Sequence, residues 1–223
     1  MNDRRNRRVA NGAFITFEGV EGAGKTTQVD RLREALAGQG YDVLKTREPG
    51  GTPLGEELRR LLMHLGTADS PCPAAEVLLM GAARAQHMQR VILPHLAGGG
   101  VVLCDRFADS TTVYQGHARA ISLAFIAAMH ELTVGGRWPD LTLILDLEPE
   151  EGLRRTRLRS PQTSGGDRFE AESLAFHRRV REGFAQLAAA HRERIVLIDA
   201  QPSPECVHRR VLEAASRVLA RLQ

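Results

Sequence analysis

Several features are scarce or absent in these 223 residues. No stretch of 18 apolar residues occurs, so no membrane-spanning helix and no membrane partner is expected. The start, MNDRRNRRVANG, lacks the apolar run of a secretory signal. There is no C-x-x-C pair. The cysteines Cys72, Cys104 and Cys206 are odd in number and far apart, which argues against a disulfide framework or zinc site and for free thiols in a reducing compartment. Aromatic residues make up 4%, and the net charge is only +3, with much of the surplus in MNDRRNRR and in RRTRLR at residues 154–159. A nucleic-acid binder is expected to spread basic residues along a face interleaved with aromatics, so no nucleic-acid partner is expected. These absences point to a soluble cytoplasmic protein.

What remains is an ordinary globular mixture, 43% hydrophobic and 26% charged, long enough for one domain with a well-buried core. Apolar β-rich runs (AFITFEG, YDVLKT, VVLCD, DLTLILDL, RIVLIDA) alternate with helical patterns. That alternation predicts a doubly wound α/β fold, a five-stranded parallel sheet flanked by helices. PLGEELRRLLMHL, PAAEVLLMGAARAQHMQRVILPHL and AISLAFIAAMHELTVG read as helices, and SPQTSGGD as a mobile loop. The basic start, 1–12, reads as a disordered tail or a partner-binding arm. Residues 13–223 read as the domain, with an arginine-rich lid at about 154–168.

Ligands of such sheets bind beyond the carboxyl ends of the strands, and the chemistry-bearing residues fall there. GVEGAGKT matches G-x-x-x-x-G-K-[ST] between a strand and a helix. Its backbone from Gly19 through Val20, Glu21, Gly22, Ala23 and Gly24 is expected to cradle the phosphates of ATP, continuing to Thr27 in the helix. Lys25 would reach the β- and γ-phosphates and Thr26 would meet Mg²⁺. Asp105, ending a buried strand, is the candidate metal-orienting acid; a helix cap or an ion pair with its neighbour is the other reading. Arg106 beside it is placed for a phosphate fork on a monophosphate acceptor, and Arg47 at the next strand end could serve the same phosphate or lie on the surface. Arg154, Arg155, Arg157, Arg159 and Arg168 surround the Gly/Ser loop. They are read either as a solvated helix face or as a lid that stabilises transferring charge and excludes water.

A phosphate loop alone does not say who receives the γ-phosphoryl group. The N-K-x-D string of guanine switches is absent, and TSGGD lacks the leading Leu and the Gln of an L-S-G-G-Q signature. Transfer to a second substrate is the better reading.

At this point the strings FEGVEGAGKTTQ, TREPGGTPLGEELR, EVLLMGAARAQH, LCDRFADSTTVYQG, PDLTLILDL and GGDRFE together resemble bacterial thymidylate kinase over nearly the whole chain. The resemblance implies a P-loop nucleoside-monophosphate-kinase fold, the reaction ATP + dTMP to ADP + dTDP with Mg²⁺, and a homodimer. It implies a dTMP site of Glu21, Arg47, Met80, Arg84, Arg106, Thr111, Tyr114 and Gln115, and catalytic roles for Lys25, Arg106 and the lid arginines Arg154, Arg157, Arg159 and Arg168. It also implies a cis peptide at Glu48–Pro49 and an adenine-side loop at residues 200–202. One departure stands out: Met80 occupies the position of a base-stacking Phe, a looser platform for a pyrimidine. A kinase for another nucleotide such as dUMP, or a P-loop ATPase without an acceptor, are the alternatives.

Overall fold

The computed structural model describes residues 7–63, 70–159 and 168–223. Residues 1–6 and the loop 160–167 expected within the lid lie outside the described residues. Five strands form one sheet: β1 (Ala13–Gly19), β2 (Val43–Arg47), β3 (Val101–Asp105), β4 (Leu141–Asp146) and β5 (Ile195–Asp199). Their order is β2-β3-β1-β4-β5 and every pairing is parallel, as the alternation of strand and helix patterns predicts. β1, β3 and β4 are buried almost end to end, because helices cover both faces, whereas the edge strands β2 and β5 are mixed.

The helices are α1 (Lys25–Gly38), α2 (Pro53–Met63), α3 (Pro73–His87), α4 (Leu93–Ala97), α5 (Ala108–Thr111), α6 (Leu123–Val134), α7 (Pro149–Arg159), α8 (Leu174–Ala190) and α9 (Pro204–Leu222). Alternate residues of β1 feed two cores. Ile15 and Phe17 pack with Val29, Leu32 and Leu36 of α1 and with α8 and α9, while Phe14 packs with Phe107, Met88, Ile92 and Val134 on the other face. No helix of the described residues is long and apolar enough to cross a membrane.

Two features differ from the sequence expectation. The long helix expected from Pro73 is broken by a wide π-helical turn at Met88–Ile92 before α4. Pro94 lies two residues beyond it and cannot donate to a regular helical ladder. The basic start is packed from Arg7 onward: Arg7 N donates to Gly40 O at 2.8 Å, Val9 N to Gly99 O at 2.9 Å, and Val9 is buried. Val9 joins the core that contains Tyr41, so an apolar side chain anchors a segment whose composition reads as a tail.

The register aligns the strand ends that matter. Arg47 lies opposite Asp105, Asp105 opposite Phe17, and Gly19 opposite Leu145. The phosphate loop therefore leaves the middle of the sheet, flanked by the ends of β3 and β4.

Candidate active site

Between β1 and α1 the chain turns through Gly22 and Gly24 with φ of 70° and 89°. Side chains rarely adopt that conformation. At Gly22 a Cβ would also strike the carbonyl of Gly152 in α7, so the loop and the root of α7 meet backbone to backbone. Lys25, the first residue of α1, curls over the loop and donates to Val20 O at 2.8 Å and Gly19 O at 3.1 Å. Burial, and the Arg106 charge after it, push its amine down to about 8 against the pull of Asp105, Glu21 and Glu18. Thr26 donates to Asp105 Oδ2 at 2.7 Å, which brings the two predicted metal-binding oxygens together.

Arg106 follows Asp105 in a left-handed conformation, φ 68°. Its guanidinium donates to Gly19 O at 3.1 Å, Ser110 Oγ at 3.2 Å and Glu21 Oε1 at 2.9 Å. Tyr114 O–H donates to the same Glu21 oxygen at 2.7 Å, and the Arg106 guanidinium lies 5.0 Å from the Tyr114 ring centre. Glu21 Oε2 faces His177 Nδ1 at 3.3 Å. Burial by itself would raise the Glu21 carboxyl; Arg106, His177, Lys25 and Tyr114 together hold it far below the usual carboxylate range.

Arg84 is buried in α3. It donates to Glu48 Oε2 at 2.8 Å, Thr111 Oγ1 at 2.8 Å and the Phe107 carbonyl at 3.3 Å. Its remaining Nη1 is buried with no hydrogen-bond partner in the protein. Glu48 also meets His87 Nδ1 at 3.1 Å, and the Glu48–Pro49 peptide is cis, matching the resemblance. Gln115 donates to Glu76 Oε1 at 2.6 Å, which leaves its amide oxygen as the acceptor. Tyr114 and Gln115 sit on a π-helical segment, Thr112–Ala118, that continues α5.

These groups line one cavity of about 480 Å³. Lys25, Thr26, Thr27, Asp105 and Glu21 lie on its phosphate-loop side. Arg47, Met80, Arg84, Arg106, Thr111, Tyr114 and Gln115 line the same cavity. Arg47 is half-exposed and donates to Glu56 at 2.8 Å. The size suits a mononucleotide.

Among the described side chains, the arginines expected in a lid are not gathered there. Arg154 pairs with Glu151 at 2.7 Å, Arg157 is exposed, and the side chain of Arg159 is not among those described. Arg155 pairs with Glu151 at 2.8 Å and reaches Ala200 O at 3.3 Å in the expected adenine-side loop. Arg168 donates to Leu62 O at 3.0 Å and to Glu76 Oε2. Glu76, wholly buried, also accepts from Arg119 at 2.8 Å, so one carboxylate binds two arginines and Gln115.

The cavity also holds residues that motif reading passes over: Lys45, Arg59, Ser110 and Phe169. Arg59 donates to Pro49 O at 2.9 Å. Glu76 and Glu18 had a visible signal, an acid within an apolar helix face and within an apolar strand.

Comparison with known proteins agrees with this geometry. The thymidylate kinase family model matches residues 17–211. The thymidylate kinase of Nitratidesulfovibrio vulgaris (strain DSM 19637 / Miyazaki F) is 49% identical over 210 residues, 93% of this chain and 97% of that protein. That of Synechococcus sp. (strain JA-3-3Ab) is 53% identical over 205 residues, 92% of each chain. The crystal structure of thymidylate kinase from Ehrlichia chaffeensis superposes with a TM-score of 0.74 at 32% identity, covering 92% of this chain and 99% of that one. The chain belongs to the thymidylate kinase family.

Proposed function

We propose that this protein transfers the γ-phosphoryl group of ATP to dTMP, giving ADP and dTDP. The observation that carries the reading is the single cavity shared by Lys25 and Thr26 of the phosphate loop with Arg84 and Arg106. A hydrolase needs no arginines such as Arg84 and Arg106 facing its phosphate loop.

ATP phosphates lie on the loop amides from Gly19 to Thr27, with the positive end of α1 beneath them. Lys25 reorients from the loop carbonyls to the β- and γ-phosphates. Arg106, fixed by Glu21, binds the dTMP phosphate, with Arg47 beside it. The unpartnered Nη1 of Arg84 is a donor suited to a pyrimidine carbonyl, Thr111 and Gln115 complete the base contacts, and Met80 packs on the ring. Tyr114, held by Glu21, lies against the deoxyribose. The acceptor is already an anion, so no general base is required. Positioning and charge carry the step.

The paired Thr26 hydroxyl and Asp105 carboxylate are hard oxygen donors, which fits Mg²⁺. No cluster of three or more acidic, histidine or cysteine ligands exists among the described residues. That sparseness suits a cation held largely by substrate phosphates, whose charge it neutralises when bound. The α7 arginines Arg154, Arg157 and Arg159 are proposed to supply further charge to the transferring group. Arg168, engaged with Glu76 here, joins them only by exchanging that partner.

A homodimer is supported by the exposed apolar side chains Leu78 on α3 and Leu123, Phe125 and Leu132 on α6. Light scattering after size exclusion tests it. The three free cysteines fit a reducing cytoplasm.

The deciding experiment is ADP release with Mg-ATP and dTMP, dUMP, dCMP, AMP, thymidine or no acceptor, with products separated by chromatography. dTDP formation dependent on dTMP is expected. A preference for another nucleotide would move the substrate while keeping the mechanism, and release without any acceptor would make the protein an ATPase.

A further inference from the structure

We propose that Glu18 is a positioning residue for the acceptor phosphate: its carboxylate ties the turn after β3 to β1 and so holds Arg106 toward the cavity. The proposal rests on the reading of Arg106 as the phosphate-binding residue.

Glu18 is the next-to-last residue of β1 and is wholly buried. Nothing in the phosphate-loop motif requires an acid there. Its Oε1 accepts from Phe107 N at 2.8 Å and Ser110 N at 3.2 Å, and its Oε2 accepts from Ser110 O–H at 2.5 Å. All three donors lie just after Arg106, one in the turn and two on Ser110 of α5. Because the Ser110 hydrogen is committed to Glu18, its oxygen lone pairs remain for Arg106 Nη1, 3.2 Å away. The relay Glu18–Ser110–Arg106 thus holds Nη1 of the guanidinium whose Nη2 Glu21 holds, while the Phe107 N–H bond pins the backbone immediately after it. Arg106 needs that support, since a non-glycine residue at φ 68° stays there only when its surroundings over-determine it. Its own N–H donates to Phe17 O at 2.9 Å, so two successive residues of β1 grip two successive residues of the turn.

The charged and titratable groups coupled to Glu18 come from several elements: Arg106 and Asp109 from the turn and α5, Lys25 from α1, Cys104 from β3 and Arg194 before β5; β4 beside it contributes none, presenting Ile144 opposite Glu18. Burial pushes the Glu18 carboxyl up to about 7, with Arg106 opposing and Asp109 assisting.

The test is the pair Glu18→Gln and Ser110→Ala, with Arg106→Ala as reference. In both, the KM for dTMP is expected to rise about tenfold, the loss of one charge-assisted contact, with the KM for ATP unchanged. A folded Glu18→Gln or Ser110→Ala with unchanged dTMP KM overturns the proposal. If Glu18→Gln does not fold, Ser110→Ala decides by the KM split. If Arg106→Ala leaves dTMP use intact, the phosphate reading of Arg106 has failed; if it damages dTMP use while the other two do not, only the role of Glu18 has failed.

Discussion

Arg106 Nη2 lies 2.9 Å from Glu21 Oε1, so a residue of the phosphate loop sets the orientation of the arginine that follows β3. The pair is mostly buried, and Tyr114 donates to the same oxygen. Donor-side and acceptor-side groups are thereby one network. Removing the arginine leaves Glu21 charged in a poorly solvated place and takes away the phosphate fork. Arg106→Ala is expected to lower kcat/KM for dTMP by about 100-fold or more, with ATP binding retained. Steady-state kinetics with each substrate varied in turn checks this, and unchanged dTMP kinetics would exclude Arg106 from the acceptor site.

Lys25 is proposed to contribute through the transferring group rather than through folding. Its charged form is disfavoured in the folded protein, where burial and Arg106 push it down to about 8. Lys25→Ala is expected to reduce kcat by about 100- to 1000-fold, the scale of losing one preorganised charge, while the circular dichroism spectrum stays native. An enzyme retaining most of its turnover would refute the role.

Glu18 gives a pH dependence with a definite sign. The folded value of about 7 stands above the ordinary 4.5. Between those values the folded protein holds a proton that the unfolded chain has released, so this group's stability contribution is complete below pH 4.5 and fades as pH rises through 7. The shift corresponds to about 3 kcal/mol. The stability difference between the parent and Glu18→Gln should therefore move in favour of the variant by that order from pH 4.5 to 7.5, measured by urea unfolding. A difference independent of pH would show that the carboxyl titrates normally.

Alanine usually stabilises a helix relative to glycine by roughly 0.5–1 kcal/mol. Gly152 in α7 should reverse that sign, because a Cβ there would strike the carbonyl of Glu21. Gly152→Ala is expected to cost about 1–3 kcal/mol and to lower turnover, since relief requires the phosphate loop to move. Thermal melting and kinetics on one preparation test both parts; a stabilised, fully active variant would contradict the packing.

Glu76 meets Gln115, Arg119 and Arg168 in a buried site. Glu76→Ala leaves two arginines without their common partner and is expected to cost about 3–5 kcal/mol. Glu76→Gln should keep the fold better but free the Gln115 amide, raising the KM for dTMP more than that for ATP. Equal changes in both would assign Glu76 to stability alone.

The strands, their parallel arrangement and the phosphate loop were readable from the chain because each is a contiguous string with a local cause. β1, β3 and β4 are apolar runs that only a doubly covered sheet can bury. The glycines of the loop meet the conformations that only glycine adopts freely. Asp105 and Arg106 were readable as strand-end residues. The buried acids were not assigned, since Glu18 and Glu76 act on residues 89 and 92 positions away at Phe107 and Arg168. Composition alone placed the start in a tail, yet Val9 has a core to enter. The arginine-rich segment looked like one functional group in sequence, but the structure divides it: Arg154 and Arg155 pair with Glu151 on their own helix, and Arg168 turns to Glu76. By itself the sequence determined the family, the fold class and the glycine-rich loop between β1 and α1, all set by short-range patterns. Only the tertiary structure decided which carboxylate each buried arginine meets, because burying a guanidinium requires a partner and that partner comes from wherever the chain folds back.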